Sequence, residues 1–97
     1  MIIAEPQNIT VNRDEADFVI FNVTINKTLG EKFTYQWQIN GSDLVEGSGK
    51  FEGVNTSVLT IRDARNEDEG SYQCVISNGA GDSVTSNEAF LSVGKLL

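Results

Sequence analysis

Asp68-Glu69-Gly70-Ser71-Tyr72-Gln73-Cys74 is the stretch on which the fold of this chain turns. Its second half opens an alternation, with Tyr72, Cys74 and Ile76 on one side and Gln73, Val75 and Ser77 on the other. A period of two belongs to a strand with one face on a core and one in water. The same rhythm recurs upstream. Val19, Phe21, Val23 and Ile25 alternate with Ile20, Asn22 and Thr24, and Phe33, Tyr35, Trp37 and Ile39 with Thr34, Gln36 and Gln38. Leu59 and Ile61 repeat it, as do Ala89, Leu91 and Val93 near the end.

Turn formers punctuate these runs at Asn40-Gly41-Ser42, Gly47-Ser48-Gly49 and Asn78-Gly79-Ala80-Gly81. Asn-Gly beside an alternating run predicts a hairpin. Only 63–68 suits a helical turn. Pro6, the one proline, falls in the first strand, where an edge position tolerates its missing N–H. The pattern predicts an all-β fold, a two-sheet antiparallel sandwich with Greek-key connections. Ninety-seven residues, 39% of them hydrophobic, suit one domain with one modest core. That domain spans 1–97, with its core over about 4–93. Gly94-Lys95-Leu96-Leu97 reads as linker, and Met1 as an initiator placed on a module of a larger protein.

Seven Lys+Arg against 14 Asp+Glu leave a formal charge of −7. Such a surface repels a phosphate backbone and anionic lipid, so neither nucleic acid nor a membrane is an expected partner. No apolar run reaches the roughly 18 residues of a membrane span. The sequence has no histidine, no nucleophile–base pair and no phosphate-binding loop. An enzyme is therefore not expected, and no cofactor or metal is called for. Glu67-Asp68-Glu69, with Asp63, lacks the ligand spacing of an EF-hand and reads as a solvated corner loop. Asp14-Glu15-Asp17 reads as a polar turn.

Trp37 lies 37 positions before Cys74. Together with the D-x-G-x-Y-x-C run, this spacing resembles an immunoglobulin domain of the intermediate (I-set) type. The resemblance covers essentially the whole chain. Pro6 to Val11 is similar to its split first strand, Val19-x-Phe21-x-Val23 to strand B, and Tyr35-x-Trp37 to strand C. Leu59-x-Ile61 is similar to strand E, and Asn78-Gly79-Ala80-Gly81 to the F–G hairpin. The resemblance implies structural roles for Trp37 between the sheets and for Tyr72, whose hydroxyl bonds back to the corner. It also implies an ion pair between Asp68 and Lys50, partly exposed and so worth under about 1 kcal/mol.

One expected residue is missing. In the family, strand B carries a cysteine about 14 residues before the tryptophan. Here that place holds Val23, so no disulfide is implied and Cys74 is a free, buried thiol facing Val23. A bridge closing so long a loop would contribute about 4 kcal/mol, which packing must offset.

Asn8, Asn22, Asn26, Asn40 and Asn55 each begin an N-x-[ST] glycosylation sequon. Chance placement gives about one or two such sites, so the excess points to an extracellular or cell-surface location. The resemblance then implies noncovalent recognition of another protein, a like copy included, by an adhesion molecule or receptor. A receptor tyrosine kinase ectodomain is one such context, in which the parent carries its catalysis elsewhere. A cytoplasmic titin-like structural module and a passive spacer are the alternatives. Alternation turns Gln36, Gln38, Gln73, Val75, Glu88 and Phe90 outward on the C-F-G sheet. Phe90 and Val75, ringed by the three glutamines, are the expected partner-binding patch. Asn8, Asn22 and Asn55 are expected on the opposite sheet, which would leave the C-F-G face bare apart from Asn40.

Overall fold

The computed structural model describes residues 2–12, 18–26, 32–46 and 49–94. Met1, the turn Asp14-Glu15-Asp17, the Gly47-Ser48 pair and residues 95–97 lie outside the described residues.

Among the described residues, eleven strands form two layers. β1 (Ile2–Ala4) pairs with β4 (Thr24–Ile25), the continuation of β3 (Phe18–Asn22) beyond Val23. β3 pairs with β8 (Val58–Arg62), and β8 with β7 (Phe51–Glu52). The other layer runs β2 (Ile9–Asn12), β11 (Ala89–Gly94), β9 (Gly70–Asn78), β5 (Phe33–Ile39) and β6 (Ser42–Asp43). β10 (Ser83–Thr85) also pairs with β9. Every pairing is antiparallel except β2 with β11, which is parallel. The predicted sandwich is the observed fold.

Pro6 corrects one detail. It is buried in the break between β1 and β2, not inside a strand. There the chain leaves one layer for the other, and a residue without an N–H disturbs no strand ladder. The Asn40-Gly41 hairpin forms as expected, with φ of 49° and 85° at its two positions, a primed turn matched to strand twist. Gly53 closes the β7–β8 turn at φ 76°, where a Cβ would lie 2.1 Å from the Val58 carbonyl oxygen. The helical turn shortens to a 3-10 segment, Asn66–Asp68.

The inward residues meet in one core. Val19, Phe21, Val23, Trp37, Leu59, Ile61, Tyr72, Cys74, Ile76, Ala89, Leu91 and Val93 are all buried in it. Cys74 pairs across strands with Trp37, and both are fully buried. The two layers are joined chiefly by rings. Phe21 of β3 stacks on Tyr72 of β9 with centroids 5.0 Å apart, and tilts against Trp37 of β5 at 6.4 Å. The indole N–H of Trp37 donates to the Thr56 carbonyl at 2.8 Å, and its backbone N–H donates to the Val54 carbonyl at 2.9 Å. The β7–β8 connection is thereby tied to the opposite sheet. These contacts stand where the cross-link is missing.

Phe21→Ala is therefore expected to cost about 3–5 kcal/mol, and Phe21→Leu under about 1.5 kcal/mol. Urea unfolding of both variants measures this; a loss under about 1 kcal/mol for Ala would show that the ring trio does not hold the layers.

Candidate functional site

The outward face of β5, β9 and β11 carries the residues that alternation singled out. Gln36 stands opposite Val75, and Gln38 opposite Gln73. Ser71 pairs with Phe90 on β11. Phe90 is 51% exposed, whereas Val75 is half-buried. The structure does not bring these two apolar residues together. The row of Phe90 meets β9 at Ser71, four residues from Val75, roughly 13 Å along the strand. Gln38 and Gln73 lie between.

The glutamines do not ring a patch either; they bond within the domain. Gln36 donates to the Leu44 carbonyl at 3.0 Å and to the Trp37 carbonyl at 2.8 Å. Gln73 donates to the Gln38 side-chain oxygen at 2.8 Å, and Gln38 to the Asp43 carboxylate at 2.8 Å. Beside Phe90, the Ser71 hydroxyl donates to the Glu88 carboxylate. Asn40, Gly41, Ser71, Gln73 and Glu88 line a shallow polar recess of about 360 Å³ at this end of the face. The face is a polar belt with a single exposed ring at one end. A mutual hydrogen-bond network of this kind is legible only once strand register is known.

All five sequon asparagines are exposed. Their division between faces differs from the expectation. Asn8 accepts the Phe90 backbone N–H at 2.9 Å, so it borders the β11 edge of the six-stranded sheet. Asn55 donates from its amide nitrogen to the Tyr35 carbonyl and to the Gln36 side-chain oxygen, each at 3.1 Å. Asn40 accepts the Ser71 N–H at 3.0 Å. Besides the expected Asn40, Asn8 and Asn55 thus touch this layer, because the first strand crosses at Pro6 and the β7–β8 turn reaches over to β5. Asn22 is on β3, and Asn26 directly follows β4.

At the corner, Tyr72 donates its hydroxyl to the Asp68 carbonyl at 2.5 Å. Burial, with the Asp68 charge second, pushes this phenol well above its usual range. Lys50 and Asp68 pair at 2.5 Å, as expected, and Lys50 also donates to the Asp63 carbonyl at 2.7 Å. The pair is partly exposed, as expected, but unevenly so. The Asp68 side chain is 8% exposed and that of Lys50 27%. Asp68 further accepts the Arg65 N–H at 2.8 Å, and Glu69 accepts the Val93 N–H at 2.8 Å. Asp68 is thus drawn inward, while Asp63, Glu67 and Glu69 are exposed, as a solvated corner loop requires.

Cys74 is free and fully buried. Burial pushes its thiol from 9.0 up to about 12, against a smaller opposing effect of a backbone hydrogen bond from Gln36. The Cys74 backbone N–H donates to the hydroxyl of Ser86, a buried serine between β10 and β11 that alternation did not single out.

The immunoglobulin I-set domain model matches residues 1–93. The chain is an I-set immunoglobulin domain. This family consists of noncatalytic binding modules. The I-set domain is 40% identical to mouse contactin-3 over 65 residues, which cover 64% of it and 6% of that protein. It is 34% identical over 68 residues to the tyrosine-protein kinase receptor ver-3 of Caenorhabditis elegans, covering 70% of it and 5% of the receptor. The domain thus spans about one-twentieth of the curated relatives it matches. Among solved structures it resembles titin M4 (TM-score 0.74, 26% identity, 96% of this chain and 93% of that one). It also resembles Drosophila OTK extracellular domains 3–5 (TM-score 0.72, 26% identity, 96% of this chain and 30% of that one).

Two outcomes follow for the I-set core. Lys50→Met strands the buried Asp68 charge and is expected to cost about 2 kcal/mol, read by chemical unfolding at pH 7. A loss under about 0.5 kcal/mol would place the pair with ordinary surface bridges. Second, the native thiol keeps its proton up to about pH 12 while the unfolded thiol ionises near 9.0. Between these values the native state binds more protons, so stability falls as pH rises, by at most about 1.4 kcal/mol per pH unit. Cys74→Val should flatten that fall, and native Cys74 should resist thiol reagents until the domain unfolds. An unchanged pH profile together with rapid native labelling would contradict its burial.

Proposed function

We propose that this I-set domain is an extracellular recognition module of a cell-surface adhesion protein or receptor, acting by noncovalent docking on another protein. The observation that carries the reading is the set of five sequon asparagines, every one exposed. Similarity to contactins and to a receptor kinase supports it. Docking is assigned to the β5–β9–β11 face at its Phe90 end, where the exposed ring stands beside the polar recess. An aromatic anchor next to hydrogen-bonding groups is the composition that carries most interface energy. A like copy is one partner to test.

The titin-like reading keeps one favourable observation, a core that stands without a disulfide, as suits a reducing compartment.

Surface labelling of intact cells that produce the natural parent, with glycosidase-sensitive mobility, separates these readings. Labelling is expected on unpermeabilised cells, and protection from both reagents would overturn the extracellular assignment. For docking, Phe90→Lys is expected to weaken partner binding or self-association at least tenfold in sedimentation or binding assays. Unchanged binding would move the interface off this face.

A further inference from the structure

The outer face of the β3–β8 sheet is apolar where water should favour polar groups. Phe18 is 58% exposed, Ile20 50% and Val58 42%. Arg62 covers part of Phe18, with its guanidinium 5.2 Å from the ring centroid, and is held there by a two-point bond to Glu52 at 2.9 and 3.2 Å. Among the described residues, Ile20 and Val58 have no such cover. Ile20 and Val58 are diagonal neighbours: Asn22 lies directly opposite Val58 and two residues from Ile20 on its own strand, and Thr60 lies opposite Ile20. Cross-strand neighbours lie about 5 Å apart at Cβ, and residues two apart on one strand about 7 Å.

Of the five sequon residues, Asn55 alone has its amide nitrogen in hydrogen bonds among the described residues, and Asn22 and Asn26 make no side-chain hydrogen bond there. Asn8 and Asn40 spend their side-chain oxygens on backbone N–H groups, and Asn55 commits its amide nitrogen twice. The Asn22 amide makes no side-chain hydrogen bond among the described residues, and its nitrogen is the atom that a glycan would take. Thr24, the third residue of the sequon, is exposed on β4.

We infer that Asn22 is a glycan acceptor, and that the first N-acetylglucosamine of its glycan lies over Ile20 and Val58 as the cover of this face. The inference rests on the extracellular reading. In the transfer, the Asn22 amide nitrogen bonds to C1 of the sugar of a polyprenyl-diphosphate oligosaccharide. The C1–O bond breaks, the diphosphate leaves with its electron pair, and the amide proton passes to base. The resulting ring offers a face of C–H groups matched to the two aliphatic side chains. Its polar edge and the rest of the glycan stay in water. One covalent occupant satisfies the free amide and the exposed apolar pair together.

The test uses the full chain secreted from mammalian cells behind a cleavable leader, with Asn26→Gln so that the tryptic peptide 14–27 holds one sequon. Glycopeptide mass spectrometry is expected to find Asn22 occupied. Trimming to a single N-acetylglucosamine should leave Tm unchanged, whereas Thr24→Val, which removes the sequon, should lower it by about 4 °C. In an Ile20→Thr, Val58→Thr background the same loss should shrink to under about 1 °C; if that pair does not fold, Ile20→Thr alone serves. An unoccupied Asn22, no loss on removing the sequon, or an equal loss in both backgrounds would overturn the inference. Because the leader forces secretion, these results are independent of where the natural parent resides, which cell-surface labelling decides.

Discussion

The contact of Phe21 with Tyr72 and Trp37 is the constraint on which the rest of this domain depends. A sandwich of two short-stranded layers needs something to fix one layer over the other. In this family a disulfide does so, but here Val23 occupies the strand B position and Cys74 keeps its thiol. The three rings span the gap instead. Aromatic pairs add about 0.5–1.5 kcal/mol each beyond the burial of their surface. Two such pairs together with a fully buried Phe are of the same order as the roughly 4 kcal/mol assigned to a long-loop bridge. The mechanism differs, since a bridge restricts the unfolded chain whereas packing stabilises the native one. Nothing in the rings depends on an oxidising compartment.

The same trio positions the outer surfaces. Tyr72 reaches past Phe21 to the Asp68 carbonyl, which orders the corner and brings the Asp68 carboxylate to Lys50. Asn66 of that corner donates to the Val93 carbonyl, and Glu69 accepts the Val93 N–H, so the corner also grips β11. Phe90 lies on that strand, one residue outward of the buried Ala89. Its exposure therefore follows from the core register and not from local loop chemistry.

Much of the fold could be read from alternation because each strand has one buried face. Val19, Phe21, Trp37, Tyr72, Cys74 and Leu91 all point where a period of two sends them. The site was less legible for three physical reasons. Alternation gives the side of a strand but not its register, so the four-residue separation of Val75 from the Phe90 row could not be seen. The switch of layers at Pro6 carried Asn8 to the edge beside Phe90, against the assignment made from strand order. Burial of Asp68 depends on the corner closing over it, a tertiary event with no trace in residue spacing. The apolar identity of Ile20 and Val58 was in plain view, but its meaning required Asn22 to be placed beside them.

The two outer faces then call for different partners. On β5, β9 and β11, the Gln36 amide donates to the Leu44 carbonyl, Gln73 to Gln38, and Gln38 to the Asp43 carboxylate. Stripping water from this belt exposes few unpaired groups, so the docking proposed there, with Phe90 as the anchor, would carry a low desolvation cost. On β3 and β8, Ile20 and Val58 would favour association with any apolar surface, and in a monomer that is a liability. The glycan proposed on Asn22 would suppress such contacts. The docking proposed at Phe90 and the cover proposed at Asn22 would thus fall on different layers, although Asn8, Asn40 and Asn55 also border the first of them.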